Sequence, residues 1–166
     1  MENMEINFFD KANVKNSAQK RTIKKNNHEK CIFIRPPKIL IVEDIQMLQR
    51  LNMMNLASIG CNPELAKDGA TALEMFKNNY DLILSDIGLP DKNGKEVAKA
   101  IRFYENKSGC KRNILIALTA QNAELEKCME CGFDDFYVKP LLLEPMKELL
   151  KRWLPHLVNP PKQSVK

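Results

Sequence analysis

No apolar run in this chain approaches the ~20 residues that a membrane-spanning helix needs. The acidic start Met1-Glu2-Asn3-Met4-Glu5 also lacks the basic region and apolar core of a secretion signal. Both absences point to a cytoplasmic protein. Cysteine falls short of a framework as well: Cys31, Cys61, Cys110, Cys128 and Cys131 are odd in number and spread through 166 residues, a length that needs no staples. Reduced thiols are therefore expected. Cys128 and Cys131 form a Cys-x-x-Cys pair, but they close a helix, where the partial negative end raises a thiol pKa and works against an attacking thiolate. Histidine is scarcer still. His28 and His156 are the whole supply, which argues against a zinc site around that pair.

Positive charge is in modest excess, +5, and it is lopsided: residues 1–35 hold eight Lys and Arg against four Asp and Glu. Everything after them is nearly neutral. The basic leader interleaves its charges with Asn and Glu and carries no aromatic stacking pattern, so specific nucleic-acid binding is not expected. Its polar composition predicts a mobile segment over 1–35, with Ile6, Phe8 and Phe9 as one apolar cluster. A single domain over 36–155 and a short tail over 156–166 follow.

The domain is organised around Tyr80 to Gly94. Leu82, Ile83 and Leu84 are an uninterrupted apolar run suited to a strand covered on both faces, and Gly88, Pro90 and Gly94 supply loop chemistry directly after it. Asp86 thus stands at the carboxyl end of a buried strand. Lys38 to Val42 is a second such strand, followed at once by Glu43 and Asp44. Met47, Leu48, Leu51, Met54, Leu56 and Ile59 then recur at helical spacing up to Gly60, and the methionines at this spacing are expected in the core. Cys61 to Ala66 is a weaker strand whose Pro63 places it at a sheet edge. Asp68 can cap a helix over Ala70 to Asn78.

A helix over Lys95 to Asn106 follows the central loop, with Val97, Ala98, Ile101 and either Phe103 or Tyr104 facing the sheet. Asn113 to Leu118 reads as a strand with Thr119 at its end, Asn122 to Cys131 as a helix stopped by Gly132, and Asp134 to Val138 as a strand closed by Lys139 and Pro140. Leu143 to Trp153 is an amphipathic helix that Pro155 terminates, with Trp153 in the core. Five strands alternating with five helices imply an α/β fold: a doubly wound five-stranded parallel sheet, flavodoxin-like, in the order 2-1-3-4-5. In that order the Pro63 strand falls at an edge. The ligand crevice falls between strands 1 and 3, where Glu43, Asp44 and Asp86 arrive.

Three carboxylates in one crevice repel one another and call for a cation, and hard oxygen donors suit Mg²⁺ better than zinc. Strands 4 and 5 bring Thr119 and Lys139 to the same rim. A carboxylate, a divalent metal, a hydroxyl and an ammonium group are the requirements of phosphoryl transfer onto Asp86.

With these residues in view, Pro36 to Leu154 closely resembles the receiver domain of two-component response regulators. The resemblance rests on Glu43-Asp44, on Asp86 within Asp-Ile-Gly-Leu-Pro, and on Asn93-Gly94, Leu118-Thr119-Ala120 and Lys139-Pro140. It implies that Asp86 is the phosphoacceptor, Asp44 a direct Mg²⁺ ligand, Glu43 a ligand through water, and Gly88 a ligand through its backbone carbonyl. Thr119 and Lys139 would be the switch hydroxyl and the family's lysine, Phe136 the aromatic switch position, and the Lys139-Pro140 bond cis. The implied donor is a histidine kinase or a histidine phosphotransfer protein. The implied output face is the fourth helix, fifth strand and fifth helix around Phe136.

Three positions depart from the family pattern. Ile45 stands where a polar residue often follows the acid pair, Phe136 where Tyr is frequent, and Gly88 has no side chain where the family tunes dephosphorylation. The dozen residues after Leu154 hold no recognisable output domain, so a stand-alone receiver, or the receiver of a hybrid kinase, is expected before a transcription factor. The competing reading is a pseudo-receiver that docks partners without phosphate. A hydrolase with an Asp nucleophile would need a second acid where Gly88 stands.

Overall fold

The parallel sheet forms from five short strands, and the computed structural model describes them within residues 33–120 and 125–158. In chain order the elements are β1 (Lys38–Val42), α1 (Gln46–Ser58), β2 (Asn62–Ala66), α2 (Gly69–Met75), β3 (Leu82–Asp86), α3 (Gly94–Ser108), β4 (Leu115–Thr119), α4 (Leu125–Glu130), β5 (Asp135–Val138) and α5 (Leu143–Trp153). All four pairings are parallel and the order is β2-β1-β3-β4-β5. Residues 1–32 of the expected leader, Cys31 among them, and residues 122–124 of the expected fourth helix lie outside the described residues. At the margin of the domain Phe33 pairs with Val158 in an isolated antiparallel bridge, and Leu157 is buried.

Alternation along the strands builds two cores. Leu40, Val42, Ile83, Leu115 and Ala117 face α2, α3 and α4, whereas Ile39, Ile41, Leu82, Leu84, Ile116 and Leu118 face α1 and α5. The central strands β1, β3 and β4 are apolar on both sides for this reason. Strand β2 is partly exposed, as an edge strand should be. Its residues alternate in backbone direction: the Asn62 amide donates to Pro37 and the Ala66 carbonyl accepts from Glu43, both toward β1, so Pro63 turns its missing donor outward.

Several side chains fall elsewhere than the apolar spacing suggests. Met47 and Met54 are 78% and 71% exposed, and the buried stripe of α1 is instead Asn52 and Leu56, with Ile59 just beyond. The two methionines lie seven residues apart on one helical stripe, opposite the one that meets the sheet. In α3, Phe103 is 69% exposed while Tyr104 stacks edge-on against Phe76, ring centroids 5.3 Å apart. Trp153 is half-buried and donates its indole N–H to Asp135 Oδ2 at 3.1 Å. The second helix ends at Met75, short of Asn78, because the chain turns through Asn79 in a left-handed conformation. Asp68 caps it as expected, accepting from the Thr71 amide at 2.7 Å. The described cysteines Cys61, Cys110, Cys128 and Cys131 are not joined in disulfides.

At the pole where the strands begin, Arg102 ties three elements together. Its guanidinium donates to Gly132 O at 2.7 Å, to Glu105 Oε2 at 2.7 Å, to Asn113 O at 2.9 Å and to Asp134 Oδ2 at 2.9 Å. Glu105 is buried and Asp134 also accepts from the Leu115 amide at the start of β4. Removing the cation strands a buried carboxylate. Arg102→Met is therefore expected to cost about 3 kcal/mol, read as a lower urea midpoint with an unchanged slope. A variant with the parent midpoint would show that the network carries no net stability.

Candidate functional site

Parallel strands end on the same side, so the residues following β1, β3, β4 and β5 converge at one pole of the sheet. Glu43 and Asp44 leave β1, Asp86 closes β3, Thr119 closes β4, and Lys139 leaves β5. One oxygen from each of Glu43, Asp44 and Asp86 lies within 4.8 Å of the others. The Lys139 ammonium completes the cluster, with Nζ 2.8 Å from Glu43 Oε2 and 2.7 Å from Asp86 Oδ2. Glu43 is fully buried and Asp86 only 4% exposed, so these charges meet at low dielectric.

Local backbone holds each group. The Gly88 amide donates to Asp86 Oδ1 at 3.0 Å, and the Ile45 amide donates to Glu43 Oε1 at 3.2 Å. Gln49, one turn into α1, donates its side-chain amide to the carbonyls of Glu43 and Asp44 at 2.8 and 3.3 Å, which fixes the direction of the acid pair. Sequence reasoning did not single out Gln49. Its position one turn past the acid pair was the available signal. The loop after β3 closes where the Gly94 amide donates to Ile87 O at 3.1 Å. A Cβ on Gly94 would lie 2.2 Å from Asp86 O, so only glycine lets α3 begin this close to the strand end.

Burial pushes the Glu43 carboxyl above its ordinary range, and the hydrogen bond and charge of Lys139 only partly counter this. Burial works against the Lys139 ammonium too, but hydrogen bonds to Asp86 and Glu43 outweigh it and hold its pKa above that of an ordinary lysine. The ammonium is thus firmly charged. Three carboxylates against one ammonium leave the cluster formally short of positive charge, and Asp44 Oδ1 is buried with no hydrogen-bond partner. An orphaned buried oxygen beside other oxygen donors is what a hard divalent cation such as Mg²⁺ fits. Among the described residues this is the one cluster of three or more such groups.

Thr119 is buried at the rim, its carbonyl accepting from the Lys139 amide at 2.8 Å. Phe136 does not enter the cluster. It pairs with Ala117, two residues before Thr119, and is half-buried on the sheet face that α3 and α4 cover. Ile45 is exposed at the crevice mouth, and the Lys139-Pro140 peptide is cis.

This geometry has relatives. A family model described as the response regulator receiver domain matches residues 39–151. Hybrid signal transduction histidine kinases F and G of Dictyostelium discoideum are 34% and 37% identical over 122 and 123 residues, 71% of this chain in each case. The chain spans 11% and 4% of their lengths. Among solved structures, the Saccharomyces cerevisiae complex of the histidine phosphotransfer signalling protein Ypd1 with the receiver domain of its downstream response regulator Ssk1 aligns at TM-score 0.69 and 30% identity, covering 74% of this chain and 90% of that one. The receiver domain of sensor histidine kinase PA1611 from Pseudomonas aeruginosa, solved with magnesium in its active-site cleft, aligns at TM-score 0.65 and 32% identity over 72% of this chain and 98% of that one. No helix among the described residues is long and apolar enough to cross a membrane. On sequence and fold together, the chain belongs to the response regulator receiver domain family, the signalling modules of two-component systems.

Proposed function

We propose that Asp86 accepts a phosphoryl group in a Mg²⁺-dependent reaction, from a phosphohistidine on a histidine kinase or phosphotransfer protein in the cytoplasm. The observation that carries this reading is the buried cluster itself: Asp86 against Lys139 at 2.7 Å, with Glu43 and Asp44 alongside and one Asp44 oxygen unpartnered. A yeast relative solved in complex with a histidine phosphotransfer protein supports the nature of the donor.

Asp44, Asp86 and the Gly88 carbonyl would hold the Mg²⁺, with Glu43 acting through water. When bound, the ion neutralises phosphoryl oxygens and draws the donor group toward Asp86. An Asp86 oxygen attacks phosphorus, the P–N bond to the donor imidazole breaks, and the imidazole leaves with a proton from solvent. Lys139 stays charged throughout and pairs with phosphoryl oxygen in place of the carboxylate charge that Asp86 gives up. Thr119 donates its hydroxyl to another of those oxygens. Moving toward them opens space on the face it shares with Phe136, and that ring turns inward. Partners then read the surface formed by α4, β5 and α5.

Incubation with Mg²⁺ and a small phosphodonor should add one phosphoryl group by intact mass, and Asp86→Asn should abolish the gain. An unchanged rate in that variant would refute the assignment, and an inert parent would favour a docking module that works without phosphate.

The raised pKa of Glu43 sets a pH dependence. Its carboxyl keeps a proton to higher pH than the ordinary value of 4.5, and cation binding must displace that proton. Mg²⁺ affinity should therefore fall as pH falls through the raised value, and Glu43→Gln should flatten the curve. A parent curve as flat as that of the variant would rule the linkage out.

Beryllofluoride, a phosphoryl mimic, should shift backbone NMR signals of Thr119, Phe136 and α4 along with those of the metal loop. Changes confined to residues 86–94 would remove Phe136 from the switch.

A further inference from the structure

The loop joining β3 to α3 is anchored more heavily than closing a turn requires. Its base is fixed by the Gly94 to Ile87 hydrogen bond, and Ile87 and Leu89 are buried among apolar side chains. Asp91 is different: it is exposed, and its carboxylate reaches beyond the loop. Oδ1 accepts from the Gly69 amide at 2.9 Å and Oδ2 from the Ala70 amide at 3.0 Å.

Those amides open α2, and the first four N–H groups of a helix have no partner within it. Asp68 takes one of them, accepting from the Thr71 amide through its side chain at 2.7 Å, while its carbonyl accepts the helix's first ladder bond from Ala72 at 3.1 Å. Asp91 takes two more, those of Gly69 and Ala70. The helix start thus depends on a residue three positions beyond Gly88 as well as on its own cap. The approach is close, since a Cβ on Gly69 would lie 2.8 Å from Val97 Cγ2 and 3.1 Å from Lys92 Cβ.

The geometry points to Asp91 as a positioning residue for the metal and phosphoryl site: it clips the loop that carries Gly88 onto the first turn of α2. This rests on the reading that the Gly88 carbonyl and Asp86 hold Mg²⁺. A ligand supplied by backbone is held only by holding its loop, and a forked carboxylate across two consecutive amides restrains the loop where apolar burial ends. Coupling of this kind is reciprocal. If the clip strengthens cation binding, the cation must protect the Gly69 and Ala70 amides by the same factor. Ordinary helix capping predicts no such link, although a carboxylate at a helix start is favourable in its own right.

The test compares the full chain with Asp91→Ala and Asp68→Ala, using Mg²⁺ titration by amide NMR, hydrogen exchange at Gly69 and Ala70, and thermal unfolding. Asp91→Ala should raise the Mg²⁺ dissociation constant about tenfold and speed exchange at both amides. Mg²⁺ should slow that exchange in the parent and not in the variant. Asp68→Ala removes a cap from the same helix without touching the loop, so it should lower the unfolding temperature and leave Mg²⁺ affinity at the parent value. Parent-like Mg²⁺ affinity in Asp91→Ala, or an equal loss in both variants, would reduce Asp91 to a helix cap and overturn the proposal. A parent in which Mg²⁺ shifts neither Asp86 nor Gly88 resonances would instead overturn the site reading, and the coupling with it.

Discussion

The Lys139 ammonium between Glu43 and Asp86 is the contact on which the architecture turns. Two carboxylates with almost no exposure cannot share a crevice without a nearby cation, because each desolvated charge costs several kcal/mol. The cation arrives from β5 and the carboxylates from β1 and β3, with β4 lying between. The same contact ties the carboxyl end of β3 to the residue that leaves β5.

The fold was legible because its strands are apolar on both faces and its punctuation is strong. The Asp68 cap and the Pro63 edge both agree with the structure. The acid pair and Asp86 were legible for a related reason: a charged residue directly after an apolar run has one place to go in a parallel sheet. What escaped were contacts between segments remote in sequence. Arg102 reaches Gly132 and Asp134, some thirty residues on, with no periodic signal to announce it. Asp91 reaches back to the Gly69 and Ala70 amides from the loop after β3, again with no periodic signal. Met47 and Met54 mislead because apolar spacing marks a stripe without saying which stripe meets the sheet, and the polar Asn52 takes an inward position instead.

The two poles of the sheet divide the labour. At the strand starts, Arg102 and its acceptors lock α3, β4 and the turn before β5 with hydrogen bonds that are all satisfied. At the strand ends, the charges are incompletely matched and one carboxylate oxygen is left over. That unspent capacity is what the proposed cation and phosphoryl group would take up, at the pole opposite the Arg102 network.

Pro63 bears on a hazard that open sheets carry. An edge strand offers unpaired amides and carbonyls to any extended chain nearby, and it can recruit another copy edge to edge. In β2 the outward-facing positions are Pro63 and Leu65, because Asn62 and Ala66 direct their backbone groups to β1. An incoming strand meets one amide donor, that of Leu65, where it would need two in a row. The proline that marked this strand as peripheral thus also guards the sheet against growing into an aggregate.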